Sequence, residues 1–294
     1  MVQYYKGRNP LDALANRTAI RVARSLFSSM PRGMTSGQLA EGLQTSRSSV
    51  HRALGRLEGL DLVRSDSRGV LVLHRINTDA PLVGPLFDMF NHERYLMVHP
   101  KVRGTLEHIM AGVDTTALSC VILFGSQAKG TAQRNSDIDL CFVWQDRSWS
   151  EDFQSVVRGL AFPHILVEPH CYSEVDLRAP PDLVVLDSIL FGISLHGNRH
   201  LLSARSDLVT IGKDVLLERL DGCKRLLEQA SSVMGEVRVH LESMVEVGLK
   251  EVESVLHEGV TVPRAEVMQE GELDLRIDRL SKELAIEGER IRLT

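Results

Sequence analysis

Two short runs in this chain have the residue types and spacing for chemistry on a phosphate ester. Gly125-Ser126 follows the apolar stretch Leu118–Phe124, and ten residues later comes Asp137-Ile138-Asp139-Leu140. Because Asp137 and Asp139 alternate with Ile138 and Leu140, a strand would turn both carboxylates to one face. Carboxylates that close repel each other unless a cation lies between them. Mg²⁺ suits that place, since it takes oxygen ligands and keeps substrate phosphates as partners. Backbone amides and a hydroxyl just after a buried strand suit a phosphate. Together the two runs read as a divalent metal beside a triphosphate. The matching chemistry is in-line attack on the α-phosphorus, with pyrophosphate leaving. At average residue usage the four fixed positions would coincide about once in 10⁵ starting points. In a chain of 294 residues the pattern is therefore informative. Lys129 and Arg134, in the intervening segment, offer cations to the phosphates.

The run from Leu123 to Leu140 resembles the signature of the DNA polymerase β-like nucleotidyltransferase superfamily: a hydrophobic residue, Gly-Ser, ten residues, then two aspartates alternating with hydrophobic residues. Every fixed place matches. The nearest resemblance is to the minimal nucleotidyltransferase branch, which includes antitoxins and antibiotic-modifying enzymes, and it extends from Lys101 to Arg199. It implies a short mixed sheet with helices on one side. It also implies Asp137 and Asp139 as metal ligands, read as holding Mg²⁺ or Mn²⁺, and Gly125 and Ser126 as the binders of the nucleotide phosphates; Lys129 is read beside them as a further contact to the triphosphate, most simply that of ATP. The superfamily uses a third carboxylate on a later strand as metal ligand or general base. In Ile165–Tyr172 the residue chosen for that role is Glu168, with Glu174 and Asp176 as alternatives. Two departures stand out. Glutamate replaces the commoner aspartate, and Pro169 removes a ladder hydrogen bond. The antitoxin branch works with toxin ribonucleases marked by an Arg-to-His spacing that Arg94…His99 and Arg103…His108 also show. Both pairs precede the catalytic strand and are read as coincidence.

A second motif lies upstream. Gln38–Leu57 resembles the helix-turn-helix of winged-helix transcription regulators. Val50, Ala53, Leu54 and Leu57 recur at spacings of three and four, which defines a buried helix face. Ser49, Arg52 and Arg56 then face outward, and Arg47 and Ser48 stand at the helix start, where base edges are read. Arginine suits guanine edges and phosphates, and serine can donate to phosphate. Arg68 belongs to a hairpin read as Leu60–Arg64, a turn at Asp66–Gly69 and Val70–Leu73, and could touch the backbone as a wing. A trihelical unit used for dimerisation is the competing reading.

These motifs need elements to position them. Thr35 or Ser36 caps the first helix of the helix-turn-helix. Residues 79–100, with three prolines, read as a connection. A helix over Lys101–Ala111 precedes the strand Leu118–Phe124. Further strands are expected at Ile138–Val143 and 164–172, with a helix at Leu183–Leu190. From Asp214 two amphipathic helices break near Gly235, and the last thirty residues read as an exposed helix or frayed tail. The helices could bind the acceptor, or could pair with a second copy, since two helices cannot bury an apolar stripe alone. The fold class is α/β (α+β). It has a winged helix over 1–78, a nucleotidyltransferase sheet over 79–200 and a helical region over 201–294.

Composition agrees with this division. The net charge of −5 conceals a first 75 residues at +7, so the remainder carries −12. A basic first domain on an acidic chain points to a polyanionic partner for that domain alone. No apolar run is long enough to span a bilayer. No signal-peptide core opens the chain, so the expected location is the cytoplasm. The four cysteines form no Cys-x-x-Cys pair, which removes a zinc ribbon. The expected function is metal-dependent transfer of a nucleoside monophosphate, AMP from ATP, to a hydroxyl of a protein, RNA or small molecule. The alternative is a DNA-binding regulator or antitoxin whose nucleotidyltransferase domain senses nucleotide or masks a toxin.

Overall fold

The computed structural model describes residues 16–68, 71–133, 136–146, 149–150, 152–208, 210–257, 272–286 and 290–292. The chain divides into two compact units. One runs to Arg178 and includes Val184–Asp207; the other comprises Ala179–Leu183 and everything from Leu208.

The first unit opens with α1 (Arg17–Ser28), whose cap Asn16 accepts a hydrogen bond from the Ala19 amide at 3.0 Å. After β1 (Met34–Thr35), Thr35 and Gln38 form a reciprocal capping box that starts α2 (Ser36–Gly42). Ser46 caps α3 (Arg47–Glu58), which buries Val50, Ala53, Leu54 and Leu57 as the spacing predicts. The wing differs from expectation. β2 (Val63–Arg68) and β3 (Leu71–Ile76) are antiparallel, with Asp66 opposite Leu73 and Ser67 opposite Val72. Asp66–Arg68 are therefore strand, not turn. The run Arg64–Ser67 is polar and exposed, so it leaves no hydrophobic alternation by which to read a strand.

The supposed connection is also a helix, α4 (Val83–Met97). Pro85 sits in its first turn, where the missing N–H would have had no helical partner anyway. One side of α4 meets α1. Phe27 lies 6.3 Å from Phe87 and 5.4 Å from Phe90, centroid to centroid, and Arg24 pairs with Glu93 through two bonds of 2.8 Å. The helix then leads through α5 (Pro100–Gly112) into the sheet.

That sheet has four strands in the order β6 (Val167–Ser173), β5 (Ile138–Trp144), β4 (Leu118–Phe124), β7 (Ile193–His196). β5 and β6 run parallel and the other pairs antiparallel, so the sheet is mixed. One face presents Val121, Leu123, Ile138, Leu140, Phe142 and Val167. They pack with Val102, Leu106 and Ile109 of α5 and Val157 of α7 (Phe153–Gly159). By alternation the other face carries Phe124, Asp139, Cys141, Glu168 and His170. β6 is an edge strand, which is why it tolerates Pro169.

Asn91 of α4 clamps β7. Its Nδ2 donates to the Ser194 carbonyl and its Oδ1 accepts from the Ser194 amide, each at 2.8 Å and buried. Asn91→Ala orphans both groups, so it should cost about 1–3 kcal/mol. Chemical denaturation of the purified chain measures this; an unchanged midpoint would contradict the clamp. Helix α8 (Glu174–Arg178) follows β6. After it, α9 (Leu183–Phe191) and α10 (Asn198–Asp207) complete the unit.

The second unit holds β8 (Thr210–Gly212), α11 (Lys213–Ser231), α12 (Glu236–His257), α13 (Glu272–Ile286) and β9 (Arg290–Arg292). Gly235, at φ 72°, occupies the break between α11 and α12. The three helices bury Leu216, Leu220, Cys223, Val245, Leu249, Leu280 and Leu284. Arg276 pairs with Glu253 at 2.6 Å. The tail thus includes a third packed helix. β8 pairs with β9. Arg134, and Gly69 and Val70 of the expected hairpin, lie outside the described residues.

Candidate active site

The site forms where β4 and β5 reach their ends side by side, with Phe124 opposite Asp139 in the ladder. At the end of β4 the backbone turns sharply. Gly125 takes φ +64°, and a Cβ there would run into the Asp139 carboxylate. Only glycine supplies both that dihedral and that approach. Ser126 is the second residue of the short helix α6 (Gly125–Lys129), half-buried, and Gly130 ends the helix at φ 70°. Buried Gln127 reaches across and donates to the Ser136 and Asp137 carbonyls at 3.4 and 3.3 Å. The glycine-serine turn and the aspartate strand are therefore tied together by side chain as well as by ladder.

Asp137 stands immediately before β5 and Asp139 is its second residue. Glu168 is the register partner of Asp139 on β6. Among the described residues, one donor atom each of Asp139, Glu168 and His170 lies within 4.8 Å of the others. Asp137 falls outside that group of three, but its charge acts on Asp139. Burial first, then the carboxylates of Asp137, Glu168 and Asp187, push Asp139 up to about 7, while Lys129 acts against the rise. Four carboxylates set against one lysine leave negative charge that a divalent cation would offset. The donor set fits such an ion.

The alternatives to Glu168 lie at the other end of β6. Glu174 accepts from the Ser119 hydroxyl and lies 3.6 Å from His200 Nδ1 and 3.8 Å from Arg178. Asp176 accepts from the Ser173 amide and hydroxyl, both at 2.8 Å, as a helix-start cap. Neither belongs to the Asp139 group.

Two neighbours of the site were not anticipated. His170 follows Glu168 at the same alternation that Asp139 follows Asp137, and that spacing could have revealed it. Asp187 carries no sequence signal, because α9 reads only as an apolar packing helix. Its carboxylate accepts from the Gly125 amide at 3.2 Å and pairs with Lys129, whose ammonium also lies 5.1 Å from the Phe191 ring centre. Half-buried Arg94 and buried Arg205 hold the end of α9. Arg94 donates to the Phe191, Gly192 and Ala128 carbonyls, and Arg205 to those of Ile189 and Gly192. Burial lowers Arg94, while burial and then the Arg94 charge lower Arg205 to about 9. Arg94 is thus a bracing residue.

In the helix-turn-helix, Arg47, Ser48, Arg52 and Arg56 are exposed along α3, and Ser49 is half-buried. Ser49 Oγ lies 2.9 Å from Ser46 Oγ and accepts from Arg52 at 3.4 Å. Arg68 ends β2, and its side chain lies outside the described atoms.

Two family models match the chain. Residues 107–165 match that of the polymerase beta nucleotidyltransferases, a span that covers both motif halves, and residues 25–67 match the IclR helix-turn-helix domain. No curated protein matches. The chain carries a nucleotidyltransferase domain of the polymerase beta type behind a helix-turn-helix domain of the IclR type.

Proposed function

We propose that the chain is a metal-dependent nucleotidyltransferase that moves a nucleoside monophosphate, AMP from ATP, to an acceptor hydroxyl. The observation that carries this is the Asp139 carboxylate set against Gly125 on one side and paired with Glu168 on the other. Asp137, Asp139 and Glu168 would hold Mg²⁺ or Mn²⁺, which when bound neutralises the charge on the reacting phosphates. Gly125 and Ser126 supply an amide and a hydroxyl to the triphosphate. Asp187 fixes the orientation of the Gly125 turn and keeps Lys129 beside it. Glu168 is placed to orient the acceptor hydroxyl or to take its proton. The test is pyrophosphate release from each nucleoside triphosphate, with Mg²⁺ or Mn²⁺ and fractionated lysate as acceptor source. Release that needs both metal and acceptor supports the reading; its absence under every combination contradicts it.

The helix-turn-helix gives the second half of the proposal, that α3 reads DNA and brings the enzyme to nucleic acid or to its own operator. Among the described residues no helix is long and apolar enough to cross a membrane, and we place the chain in the cytoplasm. Replacing Arg52 and Arg56 together with alanine should weaken DNA binding at least about tenfold. It should also lower the slope of log K against log salt by about 1.8, the loss of two phosphate contacts. Nucleotidyl transfer should be unchanged. Equal affinity and slope in fluorescence anisotropy titrations would remove α3 from the interface.

A further inference from the structure

The three-donor group at the site contains a nitrogen. Its imidazole is not loosely placed. β6 runs parallel to β5, so Glu168 stands beside Asp139, and His170 lies two residues on at the same face. The His170 ring meets Phe124 edge-on, with centroids 5.5 Å apart. Phe124 in turn precedes Gly125 and opposes Asp139 in the ladder. Strand register and an aromatic contact therefore hold the imidazole against the carboxylates. Two donors on one ion at about 2.1 Å lie at most about 4.2 Å apart. The 4.8 Å envelope needs only a small side-chain adjustment to meet one ion.

Ligand type decides which ion profits. Mg²⁺ is a hard cation that takes oxygen and keeps its waters, and an imidazole gains it little. First-row transition dications accept imidazole together with carboxylate. We propose that His170 is a direct nitrogen ligand, so that the site prefers a first-row transition dication to Mg²⁺. The inference depends on the proposed function, in which Asp139 and Glu168 hold the metal.

The probe is Mn²⁺ on the full chain, followed by electron paramagnetic resonance. Loss of the free-ion signal gives its affinity, and displacement by Mg²⁺ gives the competing one. Spin-echo modulation then shows whether ¹⁴N is bound. The wild type should show nitrogen coupling. His170→Ala, and His170→Asn as a variant closer in size and polarity, should abolish it. Both should weaken Mn²⁺ at least tenfold and Mg²⁺ less than twofold. Nitrogen coupling absent from the wild type, coupling that persists in both variants, or equal loss of the two metals would overturn the proposal. Asp139→Asn separates the two levels. If Mn²⁺ binding needs Asp139 but carries no nitrogen, only the His170 assignment fails. If Asp139→Asn binds Mn²⁺ as tightly as the wild type, the metal site itself fails.

Discussion

Asp139→Asn is expected to lower nucleotidyl transfer by about 10³-fold, while the metal-free variant melts higher than the wild type above pH 7. Both effects have one origin. Asp139 is half-buried beside Asp137, Glu168 and Asp187, and burial and repulsion raise it to about 7. In the unfolded chain an aspartate titrates near 3.9. The folded group therefore binds its proton more tightly than the unfolded one. Its contribution to stability is complete below about pH 4 and is lost as pH climbs to about 7, with a constant penalty beyond. Asparagine removes that penalty together with a metal ligand. The loss of transfer corresponds to about 4 kcal/mol of transition-state stabilisation. A divalent cation should reverse the wild-type penalty, because it binds only the ionised carboxylate. Melting curves from pH 4 to 9, with and without 5 mM-scale metal chosen by titration, check the sign. A variant less stable than the metal-free wild type at pH 8 would contradict it.

Gly125→Ala is expected to be as damaging to transfer as loss of an aspartate, and to destabilise the fold where Asp139→Asn does not. The added Cβ meets two obstacles at once, a φ of +64° and the Asp139 carboxylate. Strain of that kind costs about 1–3 kcal/mol. For a unit of this size each kcal/mol lowers the melting temperature by about 2–4 °C. The clash also displaces Asp139 from Glu168, so transfer should fall about 10³-fold, as for Asp139→Asn, even below the melting transition. A combined Gly125→Ala, Asp139→Gly variant, which removes the carboxylate, should recover part of the stability and none of the activity. Recovery of activity would show that the carboxylate is dispensable.

How much of this was readable in the sequence depends on whether a residue's role is local. Gly125, Ser126, Asp137 and Asp139 lie within one strand-turn-strand segment, and their juxtaposition follows from spacing alone. Glu168 was readable one step further, because an acidic residue after an apolar run can be placed at a strand end. The capping box at Thr35 and the buried face of α3 are likewise local. Helix α4 was hidden by Pro85, which is costly within a helix but harmless in its first turn. The wing was legible as a hairpin but not in its bounds, because the polar run Arg64–Arg68 carries no hydrophobic alternation to mark it as strand. Asp187 could not be found, since it arrives from a helix 62 residues downstream of the Gly125 amide that it accepts from. Arg205, fully buried yet charged in sequence, was hidden for a related reason: its partners are backbone carbonyls, which no residue pattern displays.

The most direct test of the account is the position of the label that moves. The chain is incubated with a divalent metal, lysate and ATP carrying ³²P at either the α or the γ phosphate. Transfer from the α position, none from the γ position, and loss of the signal in Asp137→Ala/Asp139→Ala is the predicted result. Transfer from the γ position, or α transfer that survives the double substitution, would mean that these aspartates do not direct nucleotidyl transfer.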